Sequence, residues 1–187
     1  MLVPQTRAQP ARLFVQGFDS AGGKASFKAP AAVQQFTPGT EFRTKPQFKL
    51  ADFDADGDQD VFVLGVIDAK PQLRVLRNDQ TGSLDATKFL GVTGLPADAE
   101  PTSFATLNLD DDAKLEIAIA TTKGFFIARL DAAAGSYVAS PATLAGASDF
   151  GSVTAMVGGD LTGDGVDDLV IVSRGGTQIF RGEAVHP

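Results

Sequence analysis

The chain has 187 residues, of which 43% are hydrophobic and 21% are charged, a composition typical of one globular domain and not of a disordered or membrane-embedded chain. The net charge of −7 argues against a nucleic-acid-binding protein that relies on phosphate neutralisation. There is no cysteine, which excludes disulfides, thiolate zinc sites, iron–sulfur clusters and cysteine nucleophiles. The one histidine, His186, is the penultimate residue, so triad and histidine–metal chemistry are disfavoured. The longest apolar run, 61–67, is far shorter than the about 20 residues that cross a membrane.

The pattern of apolar residues in 1–45 predicts half of a repeat unit. Two short apolar runs, 13–15 and 25–27, flank a glycine pair and are similar to the runs 73–75 and 86–89 further along the chain. We interpret this segment as two strands and a connection, belonging to a unit whose first half is missing. The N-terminus shows no signal-peptide pattern.

The remainder of the chain contains an internal repeat. Its most visible element is an acidic loop, found at 52–60, 108–116 and 160–168, so that the loops begin 56 and 52 positions apart. An apolar run follows each loop directly, and a further apolar run ends each time in arginine. The recurrence of loop, run and arginine in all three units identifies a true repeat.

The apolar runs predict β-strands. They are short, rich in Val, Ile and Phe, and bounded by Gly, Pro or Asp, with no helical periodicity. The runs that follow the acidic loops, 61–64, 117–120 and 169–172, are apolar at every position, so both of their faces should be buried between stacked sheets. Four short strands in each repeat are typical of the blades of a β-propeller.

We therefore predict an all-β fold made of propeller-type blades, each with four antiparallel strands. The first blade takes residues 46–100, the second 101–150, and the third, with only three strands, 151–187. With the half-blade at 1–45 this gives thirteen strands, or about three blades plus a half-blade, fewer than the four to eight blades of a closed propeller. The fold should be open or completed by a partner.

Oxygen-bearing side chains recur in the acidic loops at positions 1, 3, 5 and 9, and Ca²⁺ is the ion that such hard ligands suit. Glycine at position 6 of two loops, Gly57 and Gly165, allows the positive φ that wraps a chain around an ion. Position 7 varies in chemistry, as expected where only the backbone carbonyl binds. The predicted ligand residues are Asp52, Asp54, Asp56, Asp58 and Asp60 in the first loop, Asn108, Asp110, Asp112 and Glu116 in the second, and Asp160, Thr162, Asp164, Val166 and Asp168 in the third.

Two alternatives to such calcium loops were weighed. An EF-hand is excluded, because its position 12 needs a glutamate and here holds Val63, Ile119 or Ile171. Solvated acidic turns are the simpler alternative, and three loops in register at a repeat period argue against them. The second loop departs from the pattern, with Ala113 in place of glycine and Asn108 in place of aspartate. We expect two or three bound calcium ions, with tight binding at the second loop left open.

With these motifs, the chain resembles calcium-binding repeats of the FG-GAP/VCBS type, the propeller blades of integrin α-subunit head domains and of many bacterial secreted proteins. Residues 52–61 and 159–169 carry the resemblance, while the second loop departs from it at Ala113. The resemblance extends over about residues 40–182 and the half-blade before them. It implies calcium in the loop of each blade and a role in binding or scaffolding, without indicating one ligand or one activity.

An arginine ends the third strand of every unit, at Arg77, Arg129 and Arg181. One interpretation is a ring of anion-binding arginines, and the other is an outward or cross-strand charge. We favour the second, because no phosphate-binding pattern lies nearby. The sequence also contains no convergent set of catalytic residues with a base.

The leading hypothesis is a calcium-stabilised propeller scaffold or interaction module that binds a protein or polysaccharide partner and has no catalysis of its own. The alternative is the non-catalytic propeller portion of an extracellular carbohydrate-active or hydrolytic enzyme, and an adhesion module similar to an integrin head is a third hypothesis. We expect a protein partner or self-association through open blade edges, such as 25–27 beside 177–181, and neither nucleic-acid binding nor membrane insertion. Because such sites bind calcium at about 0.1–1 mM, we expect an extracellular or periplasmic location, with a signal peptide that this sequence does not contain.

Overall fold

The fold is that of a computed structural model, which describes residues 12–15, 18–19, 26–27, 32–35, 45–67, 69–78, 84–85, 90–110, 112, 114–146 and 150–182. Residues 86–89 of the predicted strand run 86–90, Ala113 and most of the N-terminal connection lie outside the described residues. Within these ranges the regular structure consists of β-strands and one short 3-10 turn, without an α-helix. The prediction of an all-β fold is confirmed.

Four short strands lie in the N-terminal part: β1 Arg12–Val15, β2 Phe18–Asp19, β3 Ser26–Phe27 and β4 Ala32–Gln35. β1 pairs with β4 and β2 pairs with β3, both antiparallel, in two separate sheets. The sequence predicted 13–15 and 25–27 as successive strands of one half-blade, whereas each has a different partner in the structure. Local apolar runs show where strands lie but not with which strand they pair.

The first of three larger sheets has four antiparallel strands in the order β5-β6-β7-β8. The strands are β5 Gln47–Ala51, β6 Asp60–Ile67, β7 Lys70–Asn78 and β8 Leu84–Asp85. All eight residues of β6 are buried, because it is a central strand with apolar side chains on both faces.

The second larger sheet has five strands in the order β10-β11-β12-β13-β9. The strands are β9 Val92–Thr93, β10 Pro101–Leu107, β11 Glu116–Thr121, β12 Gly124–Asp131 and β13 Ser136–Ala142. β9 pairs in parallel with β13, so the segment that connects the first two large sheets completes the outer edge of the second. Tyr137 of β13 is buried, and its hydroxyl donates a hydrogen bond to the carbonyl of Leu115 at 3.1 Å.

The third larger sheet has three antiparallel strands in the order β14-β15-β16. The 3-10 turn Phe150–Ser152 leads into β14 Val153–Gly159, which is followed by β15 Asp168–Ser173 and β16 Gly176–Phe180. Among the residues that the structure describes, no fourth strand pairs with β16. The outer edge of this sheet is therefore open there.

Two hydrophobic cores join the three larger sheets, one on each side of the second sheet. β11 contributes to both, because Ile117 and Ile119 point into the first core while Ala118 and Ala120 point into the second. Opposite β11 lie Phe62 and Leu64 of the first sheet and Met156, Leu169 and Ile171 of the third. Both faces of β11 are thus buried between stacked sheets, as its apolar run predicts.

The sheets follow one another in an open arrangement, and none closes on itself, which confirms the prediction of open, propeller-type blades. The described residues contain sixteen strands instead of the predicted thirteen. The strands β2, β4 and β9 have short or polar runs that give little sequence signal, and β8 lies just before the predicted run 86–90 and not within it. No helix in the described part of the chain is long and apolar enough to span a bilayer.

Candidate metal centre

The three acidic loops occupy the same place in their sheets. Each connects the first strand to the second, so that 52–60 follows β5, 108–116 follows β10 and 160–168 follows β14. The residue at position 9 is in each case the first residue of the second strand, and it pairs across the ladder with the residue just before the loop. The strands that flank the three loops therefore pair in the same register. Residues at the same position of different loops thus have equivalent surroundings.

The position-9 carboxylate of the first loop is a buried cross-link. Asp60 is fully buried, and its Oδ2 accepts a hydrogen bond from the backbone N–H of Phe53 at 2.7 Å. Its Oδ1 accepts one from the backbone N–H of Asn78 at 2.8 Å. One side chain thus ties the start of the loop to the end of β7. The sequence analysis assigned Asp60 only as a metal ligand and missed this structural role.

The same cross-link recurs in the third loop, and its first half, the hydrogen bond to the start of the loop, recurs in the second. In the third loop, Asp168 accepts hydrogen bonds from the N–H groups of Leu161 and Gly182, both at 2.9 Å. In the second loop, Glu116 accepts one from the N–H of Leu109 at 2.9 Å. Burial raises the pKa of Glu116, and the Leu109 hydrogen bond opposes this shift only in part. A carboxylate at the first residue of every second strand was the sequence signal of this role.

The first residue of the first loop caps the turn that follows it. Asp52 accepts hydrogen bonds from the N–H groups of Asp56 at 3.2 Å and Gly57 at 2.9 Å. The chain turns sharply here because Ala55 has a φ of 59° and Gly57 a φ of 93°. Position 4 of this loop therefore places an alanine in the left-handed region.

The third loop forms the same turn with glycines. Asp160 accepts hydrogen bonds from the N–H groups of Gly163 at 2.6 Å, Asp164 at 3.3 Å and Gly165 at 2.9 Å. These backbone hydrogen bonds lower the pKa of Asp160, and that of Gly165 contributes most to the shift. Gly163 and Gly165 have φ values of 78° and 88°, a region that glycine enters without strain.

The side chain at position 5 organises the middle of every loop. Its Oδ1 accepts a hydrogen bond from the N–H of position 7 at 2.7–3.2 Å. The pairs are Asp58 N–H to Asp56, Lys114 N–H to Asp112, and Val166 N–H to Asp164. Val166 has a buried, apolar side chain, so its only oxygen is the backbone carbonyl.

The loops differ in how closely their acidic side chains gather. In the first loop, ligand oxygens of Asp52, Asp54 and Asp60 all lie within 4.8 Å of one another. In the second loop, Asp110, Asp112 and Glu116 do the same. The fully described third loop brings no three acidic side chains together in this way, since Thr162 occupies the position of Asp54.

Basic side chains neutralise the loops to different degrees. The guanidinium of Arg77 forms an ion pair with Asp54 in the first loop. In the second, Lys114 Nζ lies 3.0 Å from Asp112 Oδ2, and this contact lowers the pKa of Asp112. The third-strand arginines therefore differ. Arg77 contacts its own acidic loop, a role that the sequence analysis did not consider, whereas Arg181 has no ion pair in the described part of the chain.

Arg129, the matching residue of the second sheet, lies 4.0 Å from Glu116, measured between Arg129 Nε and Glu116 Oε1. Its side chain is more than half exposed, so solvent weakens this contact. The second loop thus receives its positive charge chiefly from Lys114.

Two predicted ligand positions leave a buried oxygen without a hydrogen bond. Asp54 Oδ1 and Asn108 Oδ1 are buried and accept no hydrogen bond from the described residues. A buried polar atom without a partner is unfavourable, and hydrogen-bond donors or cations satisfy it. Two loops therefore offer oxygen donors that could hold a metal ion. They are the first loop, with the acidic group that includes Asp54, and the second loop, with its acidic group and the Asn108 oxygen.

The second and third loops are joined directly. Asp167, at position 8 of the third loop, accepts a hydrogen bond from the N–H of Asn108 at 2.8 Å. In return the N–H of Asp167 donates to the carbonyl of Asn108 at 2.9 Å. Position 8 of the second loop is Leu115, which packs against the first hydrophobic core instead.

Part of this chain is similar to a known protein family. Residues 52–119, which span the first two acidic loops, match the family model described as FG-GAP-like repeat. No curated protein matches the chain.

Proposed function

Because this chain is an FG-GAP-type repeat protein of β-propeller type, we propose that it is a calcium-stabilised interaction module without catalysis of its own. The acidic loops would hold Ca²⁺ and stiffen one end of each sheet, and the sheets would present the surface for a protein or polysaccharide partner. The proposed activity is binding, and the chemistry proposed for the loops is metal ligation alone.

The observation that carries the calcium proposal is the geometry of the first loop. Three carboxylate oxygens lie within 4.8 Å of one another, and at this separation each like-charge pair costs about 3 kcal/mol at an effective dielectric constant near 20. Arg77 compensates only one of them. A divalent cation would offset the remaining repulsion and would also satisfy the buried Asp54 Oδ1.

The chemistry of the donors supports Ca²⁺ over a transition metal. All side-chain donors at the predicted positions are oxygens, and the sequence has no cysteine and a single histidine, His186, which is not part of any loop sequence. Ca²⁺ accepts six to eight oxygen ligands in a flexible geometry, whereas Zn²⁺ and Cu²⁺ favour nitrogen or sulfur. In the first loop Asp52, Asp54, Asp56 and Asp60 would bind through their side chains, and position 7 through its carbonyl.

We further propose an extracellular or periplasmic location. Sites of this kind in extracellular modules bind calcium at about 0.1–1 mM, far above the free calcium of the cytosol. Loops of this affinity would be filled only where calcium is abundant. This proposal depends on the affinity and is tested together with it.

Calorimetric titration with CaCl₂ and thermal unfolding with and without EDTA test the proposal. We expect two or three ions per chain and a melting temperature that rises with calcium. Each bound ion should raise the free energy of unfolding by about 2.7 kcal/mol at a hundredfold excess over Kd. Mg²⁺ at the same concentration should stabilise much less, because it prefers a rigid octahedral site. No heat of binding together with an unchanged melting temperature would reject the calcium role.

A further inference from the structure

Two of the acidic loops contain an aspartate that is followed directly by glycine. In the first loop the step is Asp56–Gly57, and in the third it is Asp164–Gly165, at positions 5 and 6 in both. The sequence contains no other Asp–Gly step, and all four residues are exposed to water. The carboxyl carbon of an aspartate and the backbone nitrogen that follows it can join into a succinimide ring. Each loop therefore holds the two reacting groups of such a ring closure side by side.

Glycine leaves the backbone nitrogen of this step open to reaction. Any other residue would place a Cβ next to the nitrogen and hinder its approach to the carboxyl carbon. In the structure, a Cβ added to Gly57 or Gly165 would meet no atom within 4 Å. The fold thus adds no crowding of its own beside either glycine.

A hydrogen bond holds the position-5 carboxyl over the Asp–Gly peptide. Asp56 Oδ1 accepts this bond from the N–H of Asp58 at 3.2 Å, and Asp164 Oδ1 accepts it from the N–H of Val166 at 3.0 Å. Because the donor lies two residues ahead, the carboxyl folds over the peptide in between. The donor also draws electron density from the carboxyl carbon, as N–H groups do for a carbonyl under attack. The electrophilic carbon is therefore both positioned and polarised.

A second carboxylate contacts the hydrogen of the glycine nitrogen. The N–H of Gly57 donates to Asp52 Oδ2 and the N–H of Gly165 donates to Asp160 Oδ2, both at 2.9 Å. At this distance the carboxylate can accept the proton that the nitrogen releases as it forms a new bond. Each of the two loops thus combines an electrophile, a nucleophile and a proton acceptor in one turn.

We propose that Asp56 and Asp164 are sites of spontaneous covalent modification, at which the loop converts its own Asp–Gly step through a succinimide into isoaspartate. A bond forms between the glycine nitrogen and the carboxyl carbon, and one carbon–oxygen bond of the carboxylate breaks. The departing oxygen leaves as water with two protons, one from the N–H through the position-1 aspartate and one from solvent. Water then opens the ring, and opening at the backbone carbonyl gives isoaspartate.

The second loop lacks two of these three parts and serves as an internal control. Its position 6 is Ala113, so a Cβ stands next to the nitrogen, and its position 1 is Asn108, whose amide is not a base. The position-5 side chain is nevertheless held as in the other loops, because Asp112 Oδ1 accepts a hydrogen bond from the N–H of Lys114 at 2.7 Å. We therefore expect Asp112 to stay unmodified.

The modification would change the geometry of the loop. Isoaspartate routes the main chain through the former side-chain carbon, which adds one methylene between positions 5 and 6. In the first loop the hydrogen bonds from Asp58 to Asp56 and from Gly57 to Asp52 span this point, so both should be lost. Ageing would thus alter the first and third loops and leave the second intact. The inference concerns the chemistry of the chain alone and does not depend on calcium.

Prolonged incubation of the full chain in EDTA at neutral pH, followed by peptide mapping with electron-transfer fragmentation, tests the inference. Isoaspartate should accumulate at Asp56 and Asp164, each preceded by a species that has lost one water. Asp52→Asn keeps an acceptor for the Gly57 N–H but does not take its proton. This variant should slow the reaction at Asp56 by more than about tenfold, while Asp164 in the same chain reacts as in the wild type.

Two further variants serve as controls. Ala113→Gly gives the second loop a glycine without the carboxylate, so Asp112 should form isoaspartate, but more slowly than Asp56. If Asp52→Asn lowers the melting temperature, Asp160→Asn makes the same comparison in the third loop. Three outcomes would each overturn the inference: no isoaspartate at Asp56 or Asp164 by the time a synthetic 52–60 peptide has reacted, an equal yield at Asp112 in the wild type, or a rate that the asparagine variants leave unchanged or raise.

Discussion

The first and third acidic loops share one scaffold and differ in their charge. In both, the first aspartate caps the turn and the position-9 aspartate ties the loop to the end of the third strand. At position 3, however, the first loop has Asp54, which pairs with Arg77, and the third has Thr162. The turn geometry therefore comes from positions 1 and 9, while position 3 decides how strongly the loop repels itself without an ion.

Substitution of the position-9 carboxylates should have the largest effect on the free energy of unfolding. Asp168→Ala removes the acceptor of two backbone N–H groups and should lower the free energy of unfolding by about 3 kcal/mol. Asp60→Ala should cost less in EDTA, because it also removes one of three repelling carboxylates. Urea unfolding in EDTA measures both. Equal costs would contradict the difference in charge between the loops.

Converting the third loop to the pattern of the first should have the next largest effect. Thr162→Asp adds a carboxylate at position 3 and should raise calcium affinity of this loop about tenfold, since ligand charge tunes such sites. Thr162→Asn, which adds an oxygen without charge, is the control and should change the affinity much less. Calorimetric titration distinguishes the variants. No gain in Thr162→Asp would mean that position 3 of the third loop faces away from the ion.

Removing the positive charge of Arg77 should destabilise the calcium-free protein and strengthen calcium binding by the first loop. Arg77→Gln should destabilise the protein in EDTA by about 0.5–1 kcal/mol, because Arg77 is partly exposed, and should raise calcium affinity of the first loop about fivefold. Arg181→Gln, at the matching residue that forms no ion pair with any described residue, is the matched control for both measurements. Similar shifts in the two variants would show that Arg77 acts through general charge and not through Asp54.

An effect of similar size to that of Arg77 is expected from the backbone at position 4. Ala55 and Gly163 both have positive φ values, 59° and 78°, but only glycine tolerates them without strain. We expect Ala55→Gly to stabilise and Gly163→Ala to destabilise the protein, each by about 1 kcal/mol. The added Cβ at Gly163 would contact nothing within 4 Å, so the cost would come from the backbone alone. Thermal unfolding in EDTA should show shifts of opposite sign.

The sequence predicted the strands and loops well because both have local signals. The apolar run of β11 and the alternating oxygens of the first loop can be read from neighbouring residues. The cross-link of Asp60 to Asn78 and the ion pair of Arg77 with Asp54 could not, because they join residues of different strands whose side-chain directions depend on the register.

The N-terminal strands show the same limit. β1 pairs with β4, twenty residues away, and no residue of either run specifies the other. Long-range pairing is decided by the packing of whole sheets, which a local pattern does not contain.

The hydrogen bonds between Asn108 and Asp167 have a consequence for how the loops respond to an ion. They couple the second loop to the third, so a calcium ion that ordered one loop would also pre-order the other and lower the entropic cost of filling it. Such coupling would be reciprocal, and we expect it to give positive cooperativity between the two proposed calcium sites. The matching position of the second loop is the apolar Leu115, which packs against the first hydrophobic core and has no side-chain acceptor for such a link, so the first loop should fill independently of the others.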